Sequence, residues 1–151
     1  MDKFSHVDDQ GRAKMVDVGS KTPQRRIARA SGKISLASDT VELIRRNQMK
    51  KGDVLAVSKI AGVQAAKRNP ELIPLCHPLI LDYIDVEMTL EEDGVAAASE
   101  VRCVGRTGVE MEALTAVSVA LLTVYDMCKA VDSEMQIGEI RLVEKVKQDV
   151  Q

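Results

Sequence analysis

The stretch VEMEALTAVSVALLTVYDMCKAV, residues 109–131, predicts the longest element of the chain and decides how the other elements must pack. It follows the tetrapeptide GRTG. Because Thr107 and Glu110 stand at the spacing of a capping box, a helix is expected to begin there and to continue to about Val131. The segment is apolar on nearly every side. In a soluble protein such a helix is buried on several faces, here by the core and by a partner subunit.

A polar seam nevertheless runs along this predicted helix. At about 100° per residue its members fall within about 80° of one another. They are Glu112, Thr115, Thr123 and Asp126, with Lys129 beside Asp126. The simplest interpretation is a set of hydrogen-bonded polar groups with an i,i+3 ion pair between Asp126 and Lys129. Glu112 and Asp126 are, however, about 21 Å apart along a helix axis. If both are functional, each site must combine the start of one helix with the end of another, from a neighbouring subunit.

The segments on either side of this helix predict an α+β fold. Strands are expected from alternating apolar residues at 25–36, 79–90, 95–104 and 138–146, with Ile80 on the apolar face of the second. Asp39 is expected to cap a short helix that ends near Asn47, and Asp53 to cap a second helix. The second helix has the apolar stripe Val54, Val57, Ile60, Ala61 and Ala65. This order resembles a ferredoxin-like βαββαβ unit with helices packed on one face of an antiparallel sheet, whose other face self-association would cover.

Length and composition exclude several classes of protein. The 151 residues predict one domain, 1–151, with an irregular N-terminal arm over residues 1–24. A net charge of −2 and an aromatic content of 2% argue against nucleic-acid binding. Three cysteines without a CxxC pair indicate a reduced, cytoplasmic protein. No segment is typical of a signal peptide, and none reaches the ~20 apolar residues of a membrane span.

The segment IPLCHPLIL, residues 73–81, holds reactive side chains in an apolar setting. Neighbours on an extended chain point to opposite sides, and no further ligands stand at metal-binding spacing, so a zinc site at Cys76 and His77 is disfavoured. Pro74 and Pro78 stiffen the chain around His77. This histidine is expected to donate to an anion, and the alternative is an ordinary hydrogen-bonded histidine.

Basic residues bracket the second predicted helix: Lys50, Lys51, Lys67 and Arg68. Lys51 precedes Gly52 at the helix N-terminus, where free backbone N–H groups favour anions, so phosphate binding is physically reasonable. The alternative is a solvated basic face. GRTG lacks the Lys-Ser/Thr of a P-loop, so nucleotide hydrolysis by that route is not indicated.

Long segments of the chain resemble one known family. KGDVLAVSKIAGVQAAKRNPELIPLCHPL and GRTGVEMEALTAVSVALLTVYDMCKAVD, with MVDV near the N-terminus and IGEIRLVEK near the end, are similar to the molybdenum cofactor biosynthesis protein C family, the cyclic pyranopterin monophosphate synthases. The resemblance implies a lyase that converts 3′,8-cyclo-7,8-dihydroguanosine triphosphate into cyclic pyranopterin monophosphate and releases pyrophosphate. It also implies a homohexamer, a trimer of dimers with sites at subunit interfaces. No redox cofactor or required metal is implied.

The same resemblance implies the roles of individual residues. Asp126 matches the catalytic aspartate of the family, and Lys51 and Lys129 match lysines thought to act in catalysis. The family's substrate-binding positions match Leu75, Cys76, His77, Met111 and Glu112, and Lys67 is expected to hold the triphosphate together with His77.

General acid–base catalysis is the expected mechanism, with Asp126 either a base itself or the group that sets the charge of Lys129. Two rival functions stay open on the residues alone. One is a non-catalytic small-molecule binding module, and the other is a metal-dependent hydrolase that uses Cys76, His77 and Glu112.

Overall fold

A computed structural model describes residues 4–151 and shows a four-stranded antiparallel sheet with helices packed against it. The strands are β1 (Gln24–Ser35), β2 (Tyr83–Glu91), β3 (Gly94–Gly105) and β4 (Gln136–Asp149). The helices are α1 (Ser38–Arg45), α2 (Val54–Lys67), the short α3 (Asn69–Leu72) and α4 (Glu110–Cys128). The predicted α+β class is confirmed.

The sheet has the order β2-β3-β1-β4, with β1 in the centre and all pairs antiparallel. Each of the two helical connections therefore joins strands that are separated by one other strand. The first connection carries α1, α2 and α3, and the second carries α4. Because both long helices cover the sheet, their ends lie close to the loops that enter and leave its strands.

Helix α4 is the centre of the core. Alternate residues of β1, among them Ala28, Ala30 and Ile34, are fully buried, and a Cβ at Gly32 would stand 2.9 Å from side-chain atoms of both Val117 and Leu121. The glycine thus allows α4 to lie close to the sheet. By length and composition this helix could cross a membrane, but 56% of its apolar window is buried, as in the core helix of a soluble protein.

Helices α2 and α4 also approach each other closely. A Cβ at Gly62 would lie 2.9 Å from the backbone oxygen of Ala116 and 3.3 Å from the Cβ of Ala120. The buried face of α2 consists of Val54, Ser58, Gly62, Ala65 and Ala66. The predicted stripe was therefore wrong at Val57 and Ile60, which are exposed, because small residues at i+4 spacing make the closer contact with α4.

Two predicted helix caps were wrong, whereas that of Asp53 is confirmed by its side-chain bond from the Ala56 N–H at 3.1 Å. Asp39 lies inside the first turn of α1, whose N-cap is Ala37. The Ala37 N–H instead donates to Asp132 Oδ2 at 2.8 Å, so a residue distant in sequence stabilises this end. Thr107 lies two residues before Val109, the N-cap of α4.

The second strand begins later than predicted, at Tyr83. Ile80 lies outside it and is 89% exposed, because Leu79 and Ile80 belong to the extended chain that leads from the proline-bounded segment. The other strands agree with the prediction to within a few residues.

The open face of the sheet carries ion pairs rather than an apolar surface. Arg29 bonds Glu100 at 2.7 Å and also contacts Glu144, and Lys33 bonds Glu91 at 2.9 Å. A face covered by paired charges can remain in water. Self-association over this face stays a prediction.

Candidate active site

Three charged side chains meet at the C-terminal end of α4. Lys51 Nζ lies 3.0 Å from one oxygen of Asp126, and Lys129 Nζ lies 2.8 Å from the other. Lys51 also donates to the backbone oxygen of Asp126 at 3.2 Å. The structure thus brings together the three residues predicted to be catalytic, including the expected pair between Asp126 and Lys129.

Local structure positions this cluster. Lys51 precedes Gly52, whose φ of 106° turns the chain into α2, and Asp53 caps that helix. Lys129 is the C-cap of α4, so it reaches back to Asp126 within one helical turn. Thr123 belongs to the predicted seam but donates to the Val119 oxygen one turn earlier at 2.8 Å, so it serves its own helix.

The charges in the cluster stabilise one another. Lys129 first, and then Lys51, hold the pKa of Asp126 below its usual value. Asp126 in turn raises the pKa of Lys129. The carboxylate is therefore a weaker base than a free aspartate, and Lys129 stays protonated as a weaker acid than a free lysine, which suits an electrostatic partner.

A cavity of about 380 Å³ lies at the other end of α4. Its lining includes five of the predicted substrate-binding residues: Leu75, Cys76, His77, Met111 and Glu112. They come from the segment after α3 and from the first turn of α4. The structure therefore brings these five together. Lys67 is exposed at the C-terminal end of α2 and is not part of this lining.

The cavity has further basic residues that the sequence reasoning did not assign to it: Lys21, Arg26 and Lys145. Lys145 forms an ion pair with Glu110 at 3.1 Å. A signal for Arg26 was present, because it occupies the inward register of β1, two residues before the buried Ala28. Arginine on the core side of a strand is rare unless it is paired, so this position pointed to a ligand or a partner.

Arg26 is only 8% exposed. Its Nη2 donates to the backbone oxygen of Arg106 at 3.4 Å, and within residues 4–151 its Nε lacks a hydrogen-bond partner. A buried guanidinium with a free N–H is costly unless an acceptor binds there. The cavity is therefore suited to an anion such as a phosphate.

Glu112 is the buried acid of the cavity. Asn69 Nδ2 donates to its Oε1 at 3.3 Å, and Thr115 Oγ1 donates to Asn69 Oδ1 at 2.9 Å. This chain confirms the interpretation of Thr115 as a hydrogen-bonded buried group, although Asn69 was not foreseen. Burial above all, helped by the nearby charge of Glu110, raises the pKa of Glu112. The carboxyl group is thus disposed to hold a proton.

His77 is held by the N-terminal arm. Its Nε2 lies 2.6 Å from the backbone oxygen of Val16 and donates to it. A turn with the Cys76 N–H bonded to the Ile73 oxygen at 3.1 Å brings the histidine to the cavity wall. With Nε2 occupied, Nδ1 is the ring atom that is left for a ligand.

Metal binding finds little support in this arrangement. Across the described part of the chain, residues 4–151, no three His, Cys, Asp or Glu side chains come together in a group that could hold a metal ion. Cys76 and His77 instead lie in a wall that also holds three basic side chains, Lys21, Arg26 and Lys145, and two acidic ones, Glu110 and Glu112.

Fold and site together define a small α+β enzyme with a cation-lined cavity at one end of its core helix and a Lys-Asp-Lys cluster at the other. The chain belongs to the MoaC family, whose sequence model matches residues 15–148.

Curated relatives resemble the chain over nearly its whole length. Cyclic pyranopterin monophosphate synthase of Roseiflexus sp. (strain RS-1) is 55% identical over 147 residues, which cover 96% of this chain and 93% of that protein. The protein of the same name from Chloroflexus aggregans is 56% identical over 96% of this chain and 89% of its own length. A molybdenum cofactor biosynthesis bifunctional protein of Chlorobaculum tepidum is 53% identical, and the match covers 46% of its length.

Proposed function

We propose that the chain is a cyclic pyranopterin monophosphate synthase that acts in molybdenum cofactor biosynthesis as a lyase. Its membership of the MoaC family and the names of relatives at 55% and 56% identity support this activity. The observation that carries the proposal furthest is the cation-lined cavity beside a buried acid, because a triphosphate substrate needs both charge neutralisation and proton transfer. The proposed substrate is 3′,8-cyclo-7,8-dihydroguanosine triphosphate, and the products are cyclic pyranopterin monophosphate and pyrophosphate.

The cavity is the proposed site for the triphosphate. Closing a cyclic phosphate forms one P–O bond at the α-phosphorus and breaks the bond to the bridging oxygen, so pyrophosphate leaves with additional negative charge. Arg26, Lys21 and Lys145 line the cavity and would stabilise that charge. His77 presents Nδ1, which accepts a hydrogen bond in the neutral ring and donates one when the ring is protonated. Leu75, Cys76 and Met111 complete the wall through packing or backbone contact.

The Lys-Asp-Lys cluster is the proposed proton-transfer group. Lys129 is the candidate general acid because its ammonium group is held 2.8 Å from Asp126. The contact raises the pKa of Lys129, so the group keeps its proton and is a weaker acid than a free lysine. Asp126 sets that charge rather than acting as the base, since its own pKa is lowered. Lys51 contacts the same carboxylate at 3.0 Å and is therefore the second candidate for proton transfer in this cluster.

The complete site is proposed to form between subunits. Glu112 and Asp126 are separated by about 21 Å along α4, too far for one small substrate to contact both. Exposed apolar side chains on the long helices, Val57 and Ile60 on α2 and Leu122 on α4, fit a subunit contact.

A groove of about 530 Å³ adjoins the cavity. The two share Val18, His77 and Thr107, and the exposed side chains of Ile80 and Val104 line the groove. A neighbouring subunit bound here would lie beside the cavity. We propose a homohexamer, a trimer of dimers, in which one subunit provides the cavity and its partner provides Lys51, Asp126 and Lys129, with Lys67 contacting the triphosphate from the end of α2.

The remaining parts of the proposal concern organisation and location. The whole chain, 1–151, is one catalytic domain, and the enzyme works in the cytoplasm without a redox cofactor or a required metal. Free thiols at Cys76, Cys103 and Cys128 agree with a reducing compartment.

The test is turnover of the cyclised dihydro-GTP substrate by the purified protein, with pyrophosphate and pterin product followed together. Wild type is expected to release both in equal amounts, and Asp126→Asn is expected to lose turnover while it elutes at the same size. A protein that binds the substrate and releases neither product would instead be a binding module.

A further inference from the structure

Residues 5–14 of the N-terminal arm form an ordered hairpin, although the sequence predicts an irregular segment there. Val7 and Ala13 form an antiparallel bridge, and the Lys14 N–H donates to the His6 oxygen at 2.9 Å. Gly11, with a φ of 76°, lies in the turn between them. We call residues 5–14 the arm hairpin.

Asp8 holds the arm hairpin together. Its Oδ1 accepts from the backbone N–H of Gln10 and from that of Arg12, both at 2.9 Å, and its Oδ2 accepts from Arg12 Nε at 2.8 Å. These bonds lower the pKa of Asp8, so the carboxylate is charged and its contacts are maintained at neutral pH. The conformation of the arm hairpin is therefore set by its own residues.

The arm hairpin forms one wall of the cavity. Ser5 and His6 line it, together with Val16 and Val18 farther along the arm. The bond from His77 Nε2 to the Val16 oxygen ties the arm to the segment after α3. The chain has only two histidines, and both line this cavity.

We propose that His6 is a further substrate-binding residue, which donates a hydrogen bond to the phosphate chain from the arm side of the cavity. The inference rests on the proposed function, because it assigns a contact to the triphosphate of that substrate. Arg26 and Lys145 line the same cavity from β1 and β4, so an anion bound to them would lie among their side chains and that of His6. An imidazole ring always has at least one N–H to donate. Because the arm hairpin already holds this group in place, binding of the substrate does not have to order it.

The first measurement is the affinity for inorganic pyrophosphate, by calorimetry, with the full-length protein and its His6→Ala variant. A lost hydrogen bond to a charged group predicts a roughly 10-fold weaker affinity and a roughly 10-fold higher KM, with kcat within about 2-fold of wild type. Gln10→Ala is the matched control, because Gln10 belongs to the same hairpin and is not part of the lining. It is expected to match wild type.

Two further variants separate binding from mere folding of the arm. His6→Gln keeps a side-chain N–H and is expected to restore a large part of the affinity. Asp8→Ala releases the arm hairpin and is expected to weaken pyrophosphate binding about as much as His6→Ala, with no additional loss in the double variant.

Unchanged pyrophosphate affinity and KM in His6→Ala would overturn the inference, as would full additivity of the two losses. Failure of the proposed function is seen separately, as absence of turnover by wild type, since pyrophosphate binding reports on His6 without any reaction.

Discussion

Mixing two inactive variants would show whether the active site is shared between subunits. Glu112→Gln alters the cavity half of the site, and Asp126→Asn alters the Lys-Asp-Lys half. Because every site needs both halves, each variant alone is expected to leave no complete site in its own oligomer. The two positions are about 21 Å apart on one helix, so the two halves of a site come from different subunits. In a mixed oligomer, some sites would take an intact cavity from one subunit and an intact cluster from its partner.

The expected magnitude follows from random assembly. At equal amounts of the two chains, each half of a site is intact with a chance of one half, so about one quarter of sites are complete. Wild type mixed with a Glu112→Gln/Asp126→Asn double variant would also retain about one quarter of its sites if they are shared, but about one half if each chain holds its own.

The assay is pyrophosphate release by oligomers that carry both chains, purified through two different affinity tags after co-expression. Size-exclusion chromatography of each single variant controls for assembly. A shared site would be refuted if mixed oligomers of the two single variants showed no activity. It would also be refuted if the mixture of wild type and the double variant kept one half of the wild-type activity.

Three other substitutions test the packing and charge around the site. Glu112→Gln should raise stability by about 0.5–2 kcal/mol at neutral pH while it abolishes turnover. The pKa of Glu112 is raised in the folded state, which therefore favours the protonated acid. The stability that this group contributes is complete below its pKa in the unfolded chain and is lost as the pH rises through its pKa in the folded chain. Gly62→Ala should destabilise by about 1–2 kcal/mol in urea unfolding, because the new Cβ would lie 2.9 Å from the Ala116 oxygen and overpacking exceeds the gain in helix propensity. Asp53→Ala should cost about 1 kcal/mol through loss of the bond from Ala56, and should raise KM by displacing the loop that carries Lys51.

Matched controls accompany these variants. Melting curves of Glu112→Gln and wild type should converge near pH 4 and separate as pH rises, and a constant difference would contradict the assignment. Gly138→Ala is the control for Gly62→Ala, since a Cβ at Gly138 meets open space. Equal losses of unfolding free energy in the two variants would argue against crowding between the helices. Asp39→Ala is the control for Asp53→Ala, because Asp39 lies inside α1 rather than at its N-cap.

Prediction from the sequence succeeded where structure is local. The alternation of small and apolar residues in β1 identified its buried face, and Asp53 was recognised as a cap because its bond spans three residues. The pair of Asp126 and Lys129 was likewise found from i,i+3 spacing. These contacts depend on backbone periodicity, which the order of residues encodes directly.

The predictions that were wrong depended on distant partners. Asp39 has the right spacing for a cap, but Asp132 fills that role from another part of the chain. Val57 looked like core by hydrophobicity, yet Gly62 and other small residues face α4 because they permit closer packing. A one-dimensional pattern holds no information about which of two competing faces fits its neighbour better.

The order of residues alone was enough to predict the α+β class, the core helix and, by resemblance, the family. It also supplied the acid, amine and imidazole groups of the site. Which of these groups meet depends on the folded chain. It brings Lys51 to Asp126 across 75 residues and Asn69 to Glu112 across 43, turns Arg26 inward, and lays the arm along the cavity. Helix and strand periods follow from the backbone alone. These contacts, by contrast, exist because close packing of α2, α4 and the sheet permits one arrangement of the side chains.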